Sequence, residues 1–150
     1  MRGVIQRVSQ ASVIIDDKKV ASINDGLLVL LGVEIEDTKE DAKWLANKIA
    51  SLRIFSDKDG KMNRSVTEVN GEVIVVSQFT LHAKTKKGTR PSYIKAARPE
   101  QAIPLYNQFK KDLSDVTGKE VQSGEFAADM KVTLINDGPV TIIIDTKNKE

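Results

Sequence analysis

The sequence predicts an α+β fold: a mixed, mostly antiparallel sheet with two main helices, in a single domain over residues 1–150. β-Rich runs follow one another closely near both ends of the chain, and two stretches with helical apolar spacing are inserted among them. The length of 150 residues and the hydrophobic fraction of 40% suit one domain with a substantial core.

The first third of the chain is predicted to form much of the sheet. We expect strands near residues 2–9 and 11–16 and a short strand at Val20–Ile23. Asn24-Asp25-Gly26 is a turn sequence, and the run Leu27–Val33 that follows it is apolar on both faces. A strand that is buried on both faces belongs in the middle of a sheet, so this run is predicted to be central.

Residues 38–51 are predicted to form the first helix, because apolar residues recur there at positions i, i+3, i+4 and i+7. Asp37 or Thr38 can cap its start. An acidic residue follows three positions after each of them, Glu40 and Asp41 respectively, as in a capping box.

The second helix is predicted to run from Pro99 to about Val116, with Gly118 as its stop signal. Pro104 lies inside this range. An interior proline removes a backbone hydrogen bond and crowds the preceding turn, so we expect an irregular first turn or a kink.

The remaining strands are predicted in the middle and at the end of the chain. A short strand is expected at Leu52–Phe55. Asn70-Gly71 tolerates the positive φ angles of a type I′ turn, so Val66–Val69 and Glu72–Ser77 are predicted to pair as a hairpin. Further strands are expected near 120–123, 130–136 and 140–145, followed by a polar tail at 145–150.

One loop carries the unbalanced positive charge. The net charge is +2, but the only charges between His82 and Pro99 are basic: Lys84, Lys86, Lys87, Arg90, Lys95 and Arg98. The other 17 basic and 21 acidic residues give the rest of the chain a net charge of −4. Six cations on one loop can engage phosphates, which favours an RNA or nucleotide partner over a merely solvated loop.

Several classes of function are disfavoured by what the sequence lacks. There is no cysteine, hence no disulfide, thiolate metal site or cysteine nucleophile. No cluster of His, Asp and Glu indicates a metal site, and we expect no cofactor. The longest apolar run, Leu27–Val33, is far shorter than the ~20 residues that cross a bilayer, and no signal peptide is recognisable. We therefore expect a cytoplasmic protein without a membrane or DNA partner.

His82 is the only histidine, and its proximity to Ser77 and Thr80 suggests a Ser/Thr-His hydrolase of small esters as one alternative. In an extended chain, however, residues 80 and 82 point one way and residue 77 the other, and no GxSxG motif is present. A loop histidine near a charged surface is the more ordinary interpretation. The segment SQFTL nevertheless follows a buried strand, a common location for functional residues.

Three segments together resemble the D-aminoacyl-tRNA deacylase family: MRGVIQRV at the start, SQFTLHAKTKKGTRPSY in the middle and SGEFAADMKVTLINDGPVT near the end. The resemblance runs from Met1 to Asp145. Its two signatures, SQxTL at 77–81 and NxGPxT at 136–141, are specific when both occur at this spacing. The resemblance implies that the sheets form a barrel-like core.

The resemblance also implies an enzyme that hydrolyses the ester between a D-amino acid, or glycine, and the terminal adenosine of tRNA. The family is homodimeric, with two active sites at the interface, and a Gly-Pro pair with a cis peptide bond enters the partner's pocket. Carried over, Gly138 and Pro139 would hold the substrate's amino group with their carbonyls and leave no space for an L side chain. Thr141, in the same signature, would join them in substrate binding.

By the same resemblance, Ser77, Gln78, Phe79 and Thr80 are the catalytic candidates. Main-chain N–H groups there would stabilise the developing oxyanion. Thr80 is one possible nucleophile, but its hydroxyl needs an activating base. In the favoured alternative the ribose 2′-hydroxyl of the substrate helps to activate water, and the protein positions the groups.

The remaining substrate contacts are also expected from the resemblance. Phe126 and Met130 would pack around the adenosine, although Met130 fits a core strand equally well. Lys86, Lys87 and Arg90 would lie near the phosphates of the acceptor stem.

One position departs from the family, which usually has glycine where this chain has Ala127. If glycine serves a close backbone approach to the adenosine, Ala127 would narrow the pocket slightly. The alternative to the enzyme is a non-catalytic module that binds tRNA or other RNA through the basic loop alone.

Overall fold

Strand β1 (Arg2–Ile15) organises the sheet in the computed structural model of the protein, which describes residues 1–150. The other strands are β2 (Lys18–Ile23), β3 (Gly26–Gly32), β4 (Phe55–Ser56), β5 (Met62–Arg64), β6 (Glu72–Ser77), β7 (Gln122–Ser123) and β8 (Lys131–Asp145). The helices are α1 (Lys39–Ser51), α2 (Pro99–Thr117) and a short 3₁₀ helix (Phe79–His82).

Strand β1 pairs along both of its edges. On one edge it pairs antiparallel with β3 through Arg2–Val8 and with β2 through Ala11–Ile15. On the other edge it pairs antiparallel with β8 over Arg2–Ile14. The two strands predicted near 2–9 and 11–16 are therefore one strand, because both halves share β8 as a partner.

The sheet continues from β3 through two parallel pairs, β3 with β6 and β6 with β7. Ser22 in β2 then exchanges two hydrogen bonds with the side chain of Gln122 in β7. The Ser22 N–H donates to Gln122 Oε1 at 2.8 Å, and the Ser22 carbonyl accepts from Nε2 at 2.9 Å. These bonds nearly close the sheet into a barrel, which confirms the predicted α+β class with a mixed sheet, two main helices and a barrel-like core.

Strand β3 separates two apolar clusters, as its sequence predicts. Leu27 and Leu31 belong to the larger cluster, which the sheet forms with α1 and α2. Leu28 belongs to the smaller cluster, which lies among β1, β2, β3 and β6. Since successive side chains of a strand point to opposite faces, both faces of β3 are buried.

Both helices begin and end at local sequence signals. Thr38 is the N-cap of α1, and its N–H donates to Asp41 Oδ2 at 2.9 Å. Pro99 is the first residue of α2, and Gly118 ends that helix with a φ of 73°. Pro104 removes one hydrogen bond inside α2 without interrupting the helix, so the irregular first turn is absent. Neither helix is long and apolar enough to cross a membrane.

The predicted hairpin at 66–77 is wrong. Residues 65–70 form a compact turn in which the Val69 N–H donates to the Ser65 carbonyl at 3.2 Å. Asn70 does adopt a positive φ, of 56°, but it does so at the end of this compact turn and not in a type I′ hairpin turn. Strand β6 then pairs parallel with β3 and has no antiparallel partner before it.

Three other strand boundaries also differ from the prediction. The strand expected at Leu52–Phe55 is displaced to β4, which pairs only with β5 in a separate two-stranded sheet. The strand expected at 120–123 is shortened to β7. The two expected at 130–136 and 140–145 are one strand, β8, because both halves pair with β1.

The pairing of β8 with β1 is interrupted by a bulge. Asn136 pairs with Val8, and the next paired residue, Thr141, lies opposite Gln6. Residues 137–140, here called the β8 bulge, are therefore extra residues between two matched segments. A bulge of this kind bends the strand locally and takes its residues out of the ladder.

The polar tail predicted for 145–150 starts inside the fold. Asp145 is the last residue of β8, and its Oδ2 accepts from Arg2 Nη2 at 2.7 Å. Thr146 is buried, and its N–H donates to the carbonyl of Met1 at 2.9 Å. Only the last four residues lie beyond these contacts.

Candidate active site

A half-open cavity of about 370 Å³ lies where β6 ends. Its walls come from the ends of β3 and β6, the start of the 3₁₀ helix, one face of α2 and the segment that leads into β8. The lining residues are Leu31, Val33, Val76, Ser77, Gln78, Phe79, Ala97, Ala102, Tyr106, Phe126, Ala127, Ala128, Asp129, Met130 and Val132. A mainly apolar cavity with a few polar groups is typical of a site for a small ligand.

The segment from Ser77 to Thr80 forms one wall of this cavity. The N–H of Gln78 donates to the Leu31 carbonyl at 2.8 Å, which extends the pairing of β6 with β3 by one residue. The chain then turns into the 3₁₀ helix, and Ser77, Gln78 and Phe79 line the cavity. Thr80 is half-buried beside them, and Gln78 Nε2 donates to Thr80 Oγ1 at 2.6 Å. The four catalytic candidates thus lie together.

The opposite wall contains Phe126, whose ring packs edge-to-face on Tyr106 with 5.8 Å between the ring centroids. Tyr106 is buried, and its hydroxyl donates to the Val75 carbonyl at 3.0 Å. Burial raises the pKa of Tyr106 to about 12, so the hydroxyl stays neutral and keeps its proton for this bond. The sequence indicates Tyr106 only as a core residue of α2, so its place in the cavity wall is a finding of the structure.

Ala127 and Met130 complete that wall. Ala127 has a φ of 64°, in the left-handed region that favours glycine. Glycine would adopt this angle without the strain that it imposes on alanine, so the backbone conformation alone is a sufficient reason to favour glycine at this position. Met130 packs against Gly124, where a Cβ would lie 2.2 Å from the Met130 sulfur. Met130 also contacts the smaller apolar cluster, so it belongs to both the core and the cavity.

His82 is buried, so the prediction of a loop histidine near the surface is wrong. It ends the 3₁₀ helix, is 4% exposed, and packs against Gly32, where a Cβ would lie 3.1 Å from Nε2. Nε2 has no hydrogen-bond partner, and no hydrogen bond joins His82 to Ser77 or Thr80. The geometry therefore gives no support to a Ser/Thr-His hydrolase.

The basic loop (residues 84–98) is attached to the cavity wall. Two backbone bonds between Lys84 and Ser92, of 2.8 and 3.0 Å, close its base. The ring of Tyr93 packs edge-to-face on Phe79 with 5.0 Å between the ring centroids. Because Phe79 also lines the cavity, the loop and the cavity share one side chain.

The basic side chains of this loop are exposed and outside the cavity. Lys86, Lys87 and Arg90 lie at the exposed tip. None of the six basic residues of the loop forms an ion pair within the chain. Their charges are therefore available to an external anion.

The predicted substrate contacts on β8 lie away from the cavity of their own chain. Gly138, Pro139 and Thr141 are exposed, and none of them lines it. The peptide bond between Gly138 and Pro139 is cis.

Two side chains hold the backbone of the β8 bulge. Arg7 Nε donates to the Asp137 carbonyl at 3.0 Å, and Arg7 Nη1 donates to the Ile54 carbonyl at 2.6 Å. Asn136 Nδ2 donates to the carbonyls of Arg7 at 3.0 Å and Val140 at 2.9 Å. Asn136 is visible in the sequence as the first position of NxGPxT, whereas Arg7 reads as an ordinary polar strand residue.

The barrel-like sheet and the cavity at the end of β6 define a small α+β protein with a site of ligand size. Within that class, the model of the D-Tyr-tRNA(Tyr) deacylase family matches residues 4–145. The chain belongs to this family of hydrolases.

Individual relatives cover the whole chain. A D-aminoacyl-tRNA deacylase from Flavobacterium psychrophilum is 66% identical over 150 residues, 100% of both chains, and one from Bacteroides fragilis is 63% identical over the same span. Among solved structures, the c-Myc DNA Unwinding Element Binding Protein matches with a TM-score of 0.90 and 38% identity, over 97% of this chain and 98% of that one. A probable eukaryotic D-amino acid tRNA deacylase shares the fold, with a TM-score of 0.82, 17% identity and coverage of 95% and 97%.

Proposed function

We propose that this protein hydrolyses the ester that joins a D-amino acid to the terminal adenosine of tRNA, and so removes D-amino acids before translation. The observation that carries the proposal is the cavity in which Ser77, Gln78 and Phe79 share a lining with Phe126 and Met130. This cavity occurs in a chain that is 66% identical over its full length to a D-aminoacyl-tRNA deacylase. The products are free D-amino acid and tRNA.

The ester carbonyl is activated by main-chain donors. The first N–H groups of a 3₁₀ helix have no partner inside that helix, and here they belong to Phe79 and Thr80. When water adds to the carbonyl carbon, negative charge develops on the carbonyl oxygen. Donors that the helix start already orients can stabilise this charge without reorganisation.

Water, rather than Thr80, is the nucleophile. Thr80 Oγ1 accepts a hydrogen bond from Gln78 Nε2 at 2.6 Å, and no basic side chain is bonded to it. The substrate's ribose 2′-hydroxyl helps to activate the water instead. The bond between the carbonyl carbon and the ribose 3′ oxygen breaks, and the proton that water loses ends on that oxygen.

Phe126 and Met130 hold the adenosine in this proposal. The edge-to-face contact of Phe126 with Tyr106 fixes its ring, and the flexible thioether of Met130 can adapt to a flat base. The exposed cations Lys86, Lys87 and Arg90 contact the phosphates of the acceptor stem.

The β8 bulge of a second subunit selects the D configuration, in a homodimer with its active sites at the interface. Gly138 and Pro139 are exposed, while bonds from Arg7 and Asn136 keep the bulge in shape. Their carbonyls bind the substrate's amino group and leave no room for an L side chain, with Thr141 beside them. Glycine has no side chain to exclude, so glycyl-tRNA is also hydrolysed.

The activity is tested with D-Tyr-tRNA, L-Tyr-tRNA and glycyl-tRNA under identical conditions, by following the loss of the ester. We expect rapid hydrolysis of the D form and of glycyl-tRNA, and little hydrolysis of the L form. Equal rates for D and L substrates, or no hydrolysis of the D form, would contradict the proposal.

The shared site is tested by mixing two inactive variants. Gln78→Trp fills the cavity, and Gly138→Ala disturbs the bulge, so each homodimer lacks one half of both sites. A mixed dimer has one intact site, so an equal random mixture should recover about one quarter of the wild-type activity. Mixing without any recovery, after exchange of subunits has been verified, would show that each chain completes its own site.

A non-catalytic RNA-binding module is the second candidate, favoured by the six basic residues without ion pairs in the basic loop. It predicts tRNA binding that weakens steeply with salt and no loss of the aminoacyl ester. The hydrolysis assay above separates the two.

A further inference from the structure

Phe79 and Tyr93 form an exposed aromatic pair at the edge of the cavity, and Ile94, the next residue in the chain, is also exposed. These three residues are here called the apolar ledge. Their exposed fractions are 54%, 38% and 69%. Phe79 both lines the cavity and contacts the Tyr93 ring, so the ledge continues the cavity wall outward. Large apolar side chains grouped in this way mark a surface that another molecule covers.

The backbone under the ledge is fixed. The Tyr93 carbonyl accepts from the Ala96 N–H at 3.0 Å, which makes the residues after Tyr93 a tight turn. The Lys95 carbonyl accepts from the Ile35 N–H at 3.1 Å, which attaches this turn to the segment that follows β3. The ledge is therefore held in place before anything binds, which lowers the entropic cost of binding.

The charges around the ledge restrict what can cover it. Tyr93 and Ile94 lie within the basic loop, where Lys95 and Arg98 follow them and no acidic residue is present. None of the loop's basic residues is ion-paired within the chain. A single nucleic-acid strand has the matching pattern, because its bases stack on aromatic rings while its phosphates pair with nearby cations.

We propose that the apolar ledge stacks the unpaired nucleotides that precede the terminal adenosine of the RNA substrate. This rests on the proposed function, since an adenosine in the cavity places the preceding nucleotides at its mouth. Unpaired bases can separate from one another and stack on protein rings, whereas bases in the paired stem cannot. In this role the side chains of the ledge contribute to substrate binding, whereas the contribution of Phe79 to the chemical step is made by its main-chain N–H.

The test compares two substrates with Tyr93→Ala. One is D-Tyr-tRNA, and the other is adenosine that carries D-tyrosine as a ribose ester, which lacks the preceding nucleotides. Stacking on an aromatic side chain makes a contribution that corresponds to about a tenfold change or more in binding. We expect Tyr93→Ala to raise KM for D-Tyr-tRNA about tenfold with little change in kcat, and to lower kcat/KM for the short ester less than twofold.

Tyr93→Phe and Val20→Ser serve as controls, and Ile94→Ser is a second test of the ledge. Tyr93→Phe keeps the ring and should retain the wild-type KM for D-Tyr-tRNA. Ile94→Ser should raise that KM, whereas Val20→Ser, which also removes an exposed aliphatic side chain but lies on β2, should not. A fall of the same size on both substrates, or no change on either, would overturn the proposal.

A binding measurement separates this inference from the proposed function. Uncharged tRNA with and without its unpaired 3′ nucleotides is titrated against the wild type and Tyr93→Ala. The wild type should bind the complete tRNA more than tenfold more tightly, and Tyr93→Ala should reduce that preference about tenfold, whether or not the ester is hydrolysed. The contacts of the terminal adenosine in the cavity account for the preference that remains. Equal binding of both tRNAs by the wild type contradicts a stacking role, and dissociation of oligomers by Tyr93→Ala assigns the ledge to a second copy of the chain.

Discussion

The cavity and the β8 bulge differ in position: the cavity is formed by residues of this chain, whereas the bulge lies exposed at the surface. Every residue that lines the cavity belongs to this chain, and Gln78 is fixed there by its hydrogen bond to Thr80. The bulge is also held in place, by Arg7, but its Gly138 is exposed and does not line the cavity of its own chain. A backbone shape that is maintained at the surface suits a contact outside the chain. The cavity and the bulge are therefore best tested as two halves of one site.

Gly138→Ala should disturb the β8 bulge and cause the largest loss of activity. Gly138 has a φ of +134°, and a Cβ there would lie 2.9 Å from Val140 Cγ2 and 3.0 Å from Arg7 Nη2. Alanine is strained at this φ, and the side chains of Val140 and Arg7 must also shift to admit its Cβ, so the shape of the bulge changes. A misplacement of about 1 Å in a site can cost about 100-fold in rate. We expect kcat/KM for D-Tyr-tRNA to fall about 100-fold in steady-state assays.

Gly60→Ala is the matched control for that variant. Gly60 also has a positive φ, +77°, but a Cβ there would meet nothing within 4 Å. Alanine at the left-handed φ of Gly60 costs about 1 to 2 kcal/mol. The φ of Gly138 lies beyond that region, in a range that only glycine adopts readily, so Gly138→Ala is the more strained variant and the only one that disturbs the bulge. An equal loss of activity in Gly60→Ala would assign the effect to stability and remove the distinction between the bulge and any other turn.

Gln78→Leu tests the cavity in the same way as Gly138→Ala tests the bulge. It removes the hydrogen bond from Gln78 Nε2 to Thr80 Oγ1 while keeping a side chain of similar size. One hydrogen bond contributes about 1 kcal/mol, so we expect the single-turnover rate constant to fall about fivefold with little change in urea stability. An increase in KM at unchanged kcat would instead make Gln78 a binding residue.

Thr80→Ala should have a smaller effect, because Thr80 is not the nucleophile in the proposed mechanism. We expect kcat to fall about threefold, from the loss of the partner of Gln78. The wild type should hydrolyse the 2′-deoxy form of the substrate far more slowly than Thr80→Ala hydrolyses the ordinary substrate. Removing a true nucleophile typically costs at least about 10⁴-fold, so a loss of that size would establish Thr80 as the attacking group.

Ala127→Gly should have the smallest effect on activity. Ala127 has a φ of 64°, and alanine in this conformation costs about 1 to 2 kcal/mol. Glycine removes that cost but adds about 0.4 to 1 kcal/mol of unfolded-state entropy. We expect the free energy of unfolding in urea to rise about 0.5 kcal/mol, with kcat/KM within twofold of the wild type. A destabilised variant would contradict the left-handed conformation of this residue.

The helices are predictable from sequence, whereas much of the strand pairing is not. Thr38 and Asp41 lie within one helical turn, and Gly118 stands directly at a helix end, so these signals act locally. Asn70-Gly71 fits both a type I′ hairpin and the end of a compact turn. The parallel pairing of β6 with β3, a strand far away in sequence, decides between them. Nothing near residue 70 encodes that choice.

The same division applies to the candidate site. Ser77 to Thr80 are neighbours in sequence at the end of one strand, so their proximity is predictable. Phe126 and Met130 are brought to them by the tertiary fold, and only the family resemblance indicates them. The places of Tyr106 and Arg7 depend on carbonyls that are remote in sequence, at Val75 and in the β8 bulge. Their sequence patterns show only a core helix position and a strand position.

In the proposed dimer, the length of β8 fixes the distance between Met130 and the β8 bulge. Met130, just before its first residue, lines one cavity, while the bulge serves the other. The eight steps from Met130 to Gly138, at about 3.3 Å each, span at most about 26 Å, which limits the separation between the two cavities that one strand serves. Adding or deleting one residue would shift the bulge by about 3 Å and turn every following side chain to the opposite face of the sheet. The side chains of this segment can therefore vary in evolution far more freely than its length.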